Sequence, residues 1–176
     1  MKHNDPIDFN FSKEHAPHWK DNDLKKIDLG CGVRPVPNCD AYVDLYPDES
    51  IEREFGITPD WCKDRLTICD IEKMPFKDKE FDFSYARSIL EHTNNPEDAC
   101  NEIIRISKAG YITAPSPRNE LIVNWTYHKW FMWIEDGKLL FLSKRKDYDK
   151  YSERFDKTDI NITILRWKDK FKYEIL

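Results

Sequence analysis

Phe81–Pro115 reads FDFSYARSILEHTNNPEDACNEIIRISKAGYITAP. Its two ends, FDFSYA (81–86) and GYITAP (110–115), are rich in aromatic and β-branched residues and predict strands. Between them lies a helix with clear signals. Asn95 caps it, Pro96 takes the first helical position, and Glu97 and Asp98 complement its positive end. Ala99, Ile103 and Ile106 fall at i, i+4 and i+7, which makes one buried stripe. Lys108 is placed in the last turn and Gly110 at the stop. A strand, a crossover helix and a second strand in this order form a parallel unit.

The same grammar extends upstream. KKIDLG (25–30), AYVDLY (41–46) and LTIC (66–69) read as further strands, and their near-continuous apolarity suits a parallel sheet covered on both faces. Alternation of strands and helices argues for an α/β fold. Downstream of Pro117 the pattern changes. HKWFMWI and LLFLSK flank Asp136-Gly137, a hairpin signal, and NITILRWKDKFKYEIL (161–176) reads as one or two more strands. No linker, repeat or low-complexity tract interrupts the chain, so 1–176 reads as one domain. Its motif-bearing core is 25–117 and its aromatic C-terminal strands are 118–176.

Composition sets limits. A chain of 176 residues with 40% hydrophobic and 35% charged residues suits a soluble globular domain. At this size roughly 70% of the unfolded surface can be buried. No apolar run approaches the ~20 residues of a membrane span, and the polar, aromatic N-terminus lacks a signal-peptide core. The expectation is a cytoplasmic protein that does not enter a membrane. Five cysteines, an odd number with no C-x-x-C pair, point to reduced, mostly buried thiols and not to a zinc site or any other metal. His15 and His18, spaced H-x-x-H without partners, read as solvated helix-edge residues. The net charge is −5 overall, yet residues 118–176 carry 13 Lys/Arg against 10 Asp/Glu and 12 of the 24 aromatics. Such a segment could face an anionic or ring-shaped substrate, but the first reading is an aromatic core with solvated lysines.

The chemistry-bearing stretch is KIDLGCGVRPVPNCDAYVDLYP (26–47). Asp28, Gly30 and Gly32 close a strand in glycines, which allows a ligand to approach the backbone. The nicotinamide-type pattern G-x-G-x-x-G fails, because residue 35 is proline. Only eleven residues separate Gly32 from Asp44, and Pro35, Pro37 and Asn38 resist helix. The first crossover is therefore expected to be short and mostly non-helical. Asp44, at a strand end, is either a turn former or an acceptor for both hydroxyls of an adenosine ribose. Asp70, after the third strand and beside Ile71, could read the exocyclic amine of adenine.

The order D-L-G-C-G, strand-end acid, D-I-E-K-M-P-F, F-D, L-E-H, helix and K-x-G resembles the class I methyltransferases that use S-adenosylmethionine. It is closest to a small branch with a shortened, proline-containing loop after L-G-C-G. The match covers about residues 25–117. Only Gly110 stands where a double glycine is usual, and APSP occupies the neighbourhood of the N-P-P-Y signature of amino-methylating nucleic-acid enzymes. The resemblance implies a Rossmann-like, doubly wound, mostly parallel sheet of seven strands, with an antiparallel C-terminal hairpin and S-adenosylmethionine as cofactor. It places cofactor contacts at Gly30, Cys31 and Gly32 beside Asp28, at Asp44 and Leu45, at Asp70 and Ile71, and at Ala86 and Arg87 near the methionine part.

Methyl transfer needs an in-line nucleophile at roughly 3 Å in a dry site. A hydroxyl acceptor is helped by a base, and His92 is the first candidate, with His128 the second. Each is equally a packing histidine. Glu91 is read as orienting a partner or touching substrate, not as a base. Trp125, Tyr127, Trp130 and Trp133 read first as core and second as an acceptor wall. The expected activity is methyl transfer to a small-molecule or glycan hydroxyl. An RNA or protein acceptor is one alternative, with the net charge speaking against nucleic acid. A non-catalytic binding or partner protein with the same fold is the other.

Overall fold

The computed structural model describes residues 17–18, 20–46 and 58–176. In chain order its elements are β1 (Lys26–Leu29), β2 (Ala41–Asp44), α1 (Asp60–Lys63), β3 (Leu66–Ile68), β4 (Phe81–Arg87), α2 (Pro96–Ile106) and β5 (Ser107–Pro115). They continue with α3 (Pro117–Val123), β6 (Trp130–Glu135), β7 (Lys138–Ser143), α4 (Ser152–Phe155), β8 (Ile162–Lys168) and β9 (Lys172–Ile175). Short 3-10 turns occur at Leu90–His92 and Asp149–Tyr151.

The main sheet has the order β3-β2-β1-β4-β5-β8. All its pairs are parallel except the last, in which β8 runs antiparallel to β5. The strand–helix–strand unit of 81–115 forms as its signals require. The Asn95 side chain accepts hydrogen bonds from the N–H groups of Glu97 and Asp98, and Ala99, Cys100, Ile103 and Ile106 are buried. The C-terminal end differs from expectation. The helix stops at Ile106, and Lys108 and Gly110 already belong to β5.

Gly110 serves packing across the sheet, not helix termination. It lies in register between Ser84 of β4 and Trp167 of β8. A β-carbon added there would lie 2.6 Å from Ser84 Oγ, 2.7 Å from Trp167 Nε1 and 2.8 Å from the Ser84 carbonyl oxygen. The last contact is backbone and cannot swing away. Gly110→Ala is therefore expected to destabilise the fold by about 1–3 kcal/mol, read as a lower urea midpoint with an unchanged slope.

Side chains alternate between the two faces of the sheet. Ile27, Leu29, Val43 and Ile112 pack with α2 and with Met132, Leu139 and Phe141 of the hairpin. On the opposite face Tyr42, Phe83, Tyr85 and Tyr111 pack with Cys62 of α1 and with Val36 and Cys39. The β1–β2 connection holds turns and no helix. Val36 and Cys39 of that loop cover the sheet themselves. The Tyr42 hydroxyl secures them by donating to the Val36 carbonyl at 3.0 Å and accepting from the Cys39 N–H at 3.2 Å.

The hairpin forms around Asp136 (φ 50°) and Gly137 (φ 71°), the paired left-handed conformations such a turn needs. It does not enlarge the main sheet, which among the described residues has six strands, close to the seven that the resemblance implies. β6 and β7 pair with each other and with β9 in a second sheet of order β6-β7-β9. The physical reason is that both hairpin faces are apolar. Met132, Leu139 and Phe141 face the core under the main sheet, while Phe131, Trp133, Leu140 and Leu142 pack with Phe155 of α4. Trp130 and Trp133 are thus packing residues, as their first reading has it. Four of the five thiols are buried and Cys69 is half-buried. His18 is exposed in a turn, not on a helix edge, and its ring contacts Phe83 edge-on; His15 lies outside the described residues. Among the described residues no helix is long and apolar enough to cross a membrane.

Candidate active site

The site grows from the loop after β1. Gly30 and Gly32 adopt φ values of 63° and 56°, a region closed to most side chains. Among the described residues there is open space around Gly32, since an added β-carbon would meet only the Gly30 carbonyl oxygen, at 3.9 Å. At Gly30 the same atom would press into Ile89 at 2.5 Å. One glycine leaves room for a ligand; the other makes room for Ile89.

Asp44, at the end of β2, ties the loop down. Its Oδ2 accepts from the Gly32 N–H at 2.8 Å and its Oδ1 from the Tyr46 N–H at 3.0 Å. A carboxylate accepts up to about four hydrogen bonds, so fastening the loop is compatible with receiving a ligand hydroxyl. Asp70 shapes the turn after β3 by accepting from the Glu72 N–H at 2.9 Å. Glu72 in turn accepts from the N–H groups of Asn94 (2.6 Å) and Asn95 (2.9 Å), which fixes the start of α2 against that turn. These loops enclose a cleft of about 760 Å³, part of it open to solvent. Gly30, Gly32, Asp44, Leu45, Asp70 and Ile71 line it. So do Ser88, Ile89, His92, Asn94 and Lys129.

A polar cluster adjoins the cleft at His92. Lys129 donates from its backbone N–H to the Glu91 carbonyl at 2.7 Å. Its Nζ donates to the His92 carbonyl at 2.7 Å and to Asn94 Oδ1 at 2.8 Å. The His92 ring stacks on Tyr127 and meets His128 edge-on, with centroids 4.7 Å apart in the second case. His128 Nδ1 lies 2.7 Å from Glu120 Oε2, and Lys144 donates to Glu120 Oε1 at 2.6 Å. Burial pushes the Glu120 carboxyl up, but the hydrogen bonds from His128 and Lys144 outweigh it and hold it below the usual range. Glu91 has no such partners. Burial pushes it up to about 8, and the charge of Glu120 adds to the push. Burial lowers His92 to about 4, with His128 and Lys129 acting in the same direction.

Seven of the residues expected at the site therefore line one cleft: Gly30, Gly32, Asp44, Leu45, Asp70, Ile71 and His92. The others do not. Asp28 is buried, accepts from the Val36 N–H at 2.7 Å and pairs with Arg87 at 3.6 Å, so it braces the loop from beneath. Burial raises its carboxyl, against the pull of the Arg87 charge. The Cys31 side chain packs into the core beside Val36 and Tyr42. Ala86 faces the core under α2, and Arg87 turns to the loop, donating to the Arg34 carbonyl at 2.6 Å. His128 lies behind His92, one layer from the cleft. Lys129, Glu72 and Glu120 went unread in sequence. Ser116-Pro117, a start signal for α3, could have placed Glu120 on a helix; nothing local marks Glu72 or Lys129.

Residues 41–113, from β2 to β5, match the family described as a methyltransferase domain. The match takes in 73 of the 176 residues and runs through the segments that bear Asp44 and Asp70. No curated protein matches the chain. Among solved structures, the PH0226 protein from Pyrococcus horikoshii is 16% identical with a TM-score of 0.48, over 84% of this chain and 82% of that one. An S-adenosylmethionine-dependent methyltransferase from Thermotoga maritima is 20% identical with a TM-score of 0.42, over 61% and 57%. The [4+2]-cyclase SpnF is 22% identical with a TM-score of 0.41, over 53% and 39%. The chain spans less than two thirds of the length of the last two, and at these values no residue role transfers from any of them.

The residues lining the cleft fit S-adenosylmethionine, the cofactor that the sequence resemblance implies. Open space at Gly32 is a cradle that any β-carbon would begin to fill. Asp44 stands beside it at the strand end, where ribose hydroxyls would be received, and Asp70 and Ile71 stand where an adenine edge would be read.

Proposed function

We propose that the chain transfers a methyl group from S-adenosylmethionine to a hydroxyl of a small-molecule or glycan acceptor. One observation carries the reading: the glycine cradle and both acids share a single cleft with His92 and Lys129. When bound, the cofactor supplies a sulfonium-activated methyl group. Gly32 admits it, Asp44 and Asp70 orient its adenosine end, and Ile89 and Ile71 help keep water out.

His92 takes the acceptor's proton. With its pKa at about 4, the imidazole is neutral at physiological pH and can accept a hydrogen bond from a hydroxyl. That value makes it a weak base. A weak base suffices here, because a hydroxyl oxygen becomes strongly acidic as its bond to carbon forms. His92 thus holds a lone pair of the acceptor oxygen in line and receives the proton late. Lys129, charged at the cleft wall, suits an acceptor that carries an anionic group nearby.

Calorimetry with S-adenosylhomocysteine tests the cofactor half of this reading. One molecule per chain is expected to bind. Asp44→Ala is expected to weaken binding about 10- to 100-fold, the loss of one or two charge-assisted hydrogen bonds. Folded protein with no binding, or unchanged affinity in Asp44→Ala, counts against the site. Incubation with methyl-labelled cofactor and candidate acceptors, read by mass spectrometry, tests the transfer.

A further inference from the structure

Both carboxylate oxygens of Glu91 are buried without a hydrogen-bond partner among the described residues, and so is Nδ1 of His92. Glu91 is only 1% exposed. Buried polar atoms are nearly always satisfied in native folds, and each exception calls for a ligand or another explanation. The two residues are neighbours on the 3-10 turn Leu90–His92. The chain entering β6 brings His128 against them, so that one ligand atom from each of the three lies within 4.8 Å of the others.

We infer that Glu91, His92 and His128 form a binding site for a divalent transition-metal cation of the zinc class. The donor set is two imidazoles and one carboxylate, which suits zinc and its first-row neighbours and not magnesium, whose ligands are oxygens. Bonds of 2.0–2.2 Å set the edge of a tetrahedron at about 3.3–3.6 Å, so a bound ion would draw together three atoms that now lie within 4.8 Å of one another. Three protein ligands leave a fourth position for an exogenous oxygen.

The surroundings support the assignment. His128 Nδ1 is already engaged by Glu120, at 2.7 Å, so Nε2 is the nitrogen it offers to the cluster. A carboxylate behind a histidine in this way fixes the ring and makes it a better ligand. Lys144 pairs with Glu120, and Lys129 directs its ammonium group to the His92 carbonyl and Asn94 Oδ1, not to the three donor atoms. Tyr127 and Trp125 stack on His92 and His128 and hold both rings in place.

Binding of the ion stands on this geometry alone. Its bearing on the reaction rests on the methyl-transfer reading, because His92 also lines the cleft. An ion there could hold the acceptor oxygen and lower the pKa of its hydroxyl. His92 would then serve as a ligand in place of acting as the base, and the proton of the metal-bound hydroxyl would pass to solvent water at the open side of the cleft.

The test is titration of chelator-stripped full chain with Zn²⁺ by calorimetry, with Co²⁺ as a spectroscopic stand-in. One tight Zn²⁺ per chain is expected, with visible Co²⁺ bands and no thiolate charge-transfer band. Zn²⁺ should raise the thermal midpoint of the wild type. The near-isosteric Glu91→Gln and His128→Asn are expected to lose the site. Glu120→Gln, a positioning change, should weaken Zn²⁺ binding about 10- to 100-fold. Equal Zn²⁺ affinity in wild type and Glu91→Gln, or no binding to natively folded wild type, overturns the assignment. Should His128→Asn fail to fold, Glu91→Gln and the wild-type Co²⁺ spectrum still decide it. S-adenosylhomocysteine binding in the same samples keeps the two readings apart: its absence beside intact Zn²⁺ binding defeats the methyl-transfer reading alone.

Discussion

Gly32→Trp is expected to weaken S-adenosylhomocysteine binding by more than about 100-fold, at least about 2.7 kcal/mol, while the protein stays folded. Among the described residues only the Gly30 carbonyl oxygen lies within 4 Å of a β-carbon added at Gly32, so an indole there projects into the cleft and not into the core. The backbone contributes a second effect. Gly32 has φ 56°, a conformation that costs a side-chain-bearing residue about 1–2 kcal/mol. Gly137→Trp separates the two effects. Gly137 has φ 71° and, among the described residues, no atom within 4 Å of an added β-carbon, but it sits in the β6–β7 turn. It should show a similar loss of stability and full affinity. If both variants bind as the wild type does, the ligand does not lie against Gly32.

The parts of this fold that were legible in sequence are those whose signals are local. α2 announced itself through Asn95-Pro96 and its apolar stripe. The hairpin was marked by Asp136-Gly137, and the missing crossover helix by Pro35 and Pro37. Site residues on loops at strand ends, such as Gly32, Asp44 and Asp70, could be placed because the topology decides where such loops gather. Ala86 and Arg87 could not, because strand alternation turned Ala86 to the core and an ion pair with Asp28 drew Arg87 to the loop. α3 was missed for a different reason. Leu121, Ile122 and Val123 are 43%, 74% and 49% exposed, so the helix has no buried apolar stripe to read. Its one deeply buried polar residue, Glu120, finds partners 8 and 24 positions away, and no sequence period encodes that.

That buried carboxylate makes the second large prediction. Glu120→Ala is expected to destabilise the fold by about 3–5 kcal/mol, the cost of removing one partner from a buried ion pair. Glu120 is 2% exposed and receives both Lys144 Nζ, at 2.6 Å, and His128 Nδ1, at 2.7 Å. Alanine leaves the ammonium group, on a side chain 14% exposed, without its counter-charge, and leaves the imidazole N–H unpaired. Lys144 also donates to the Trp125 carbonyl at 2.8 Å, a bond that survives and places the loss toward the lower end of the range. Glu120→Gln keeps an acceptor of the same shape without the charge, so a smaller loss of about 1–3 kcal/mol is expected. Urea unfolding of the three proteins measures both steps. The ordering matters more than the absolute values. If alanine and glutamine cost the same, the charge of Glu120 carries the whole effect and its shape contributes nothing. If alanine costs more, the acceptor that glutamine keeps also holds His128 in place behind His92, and with it one side of the candidate site.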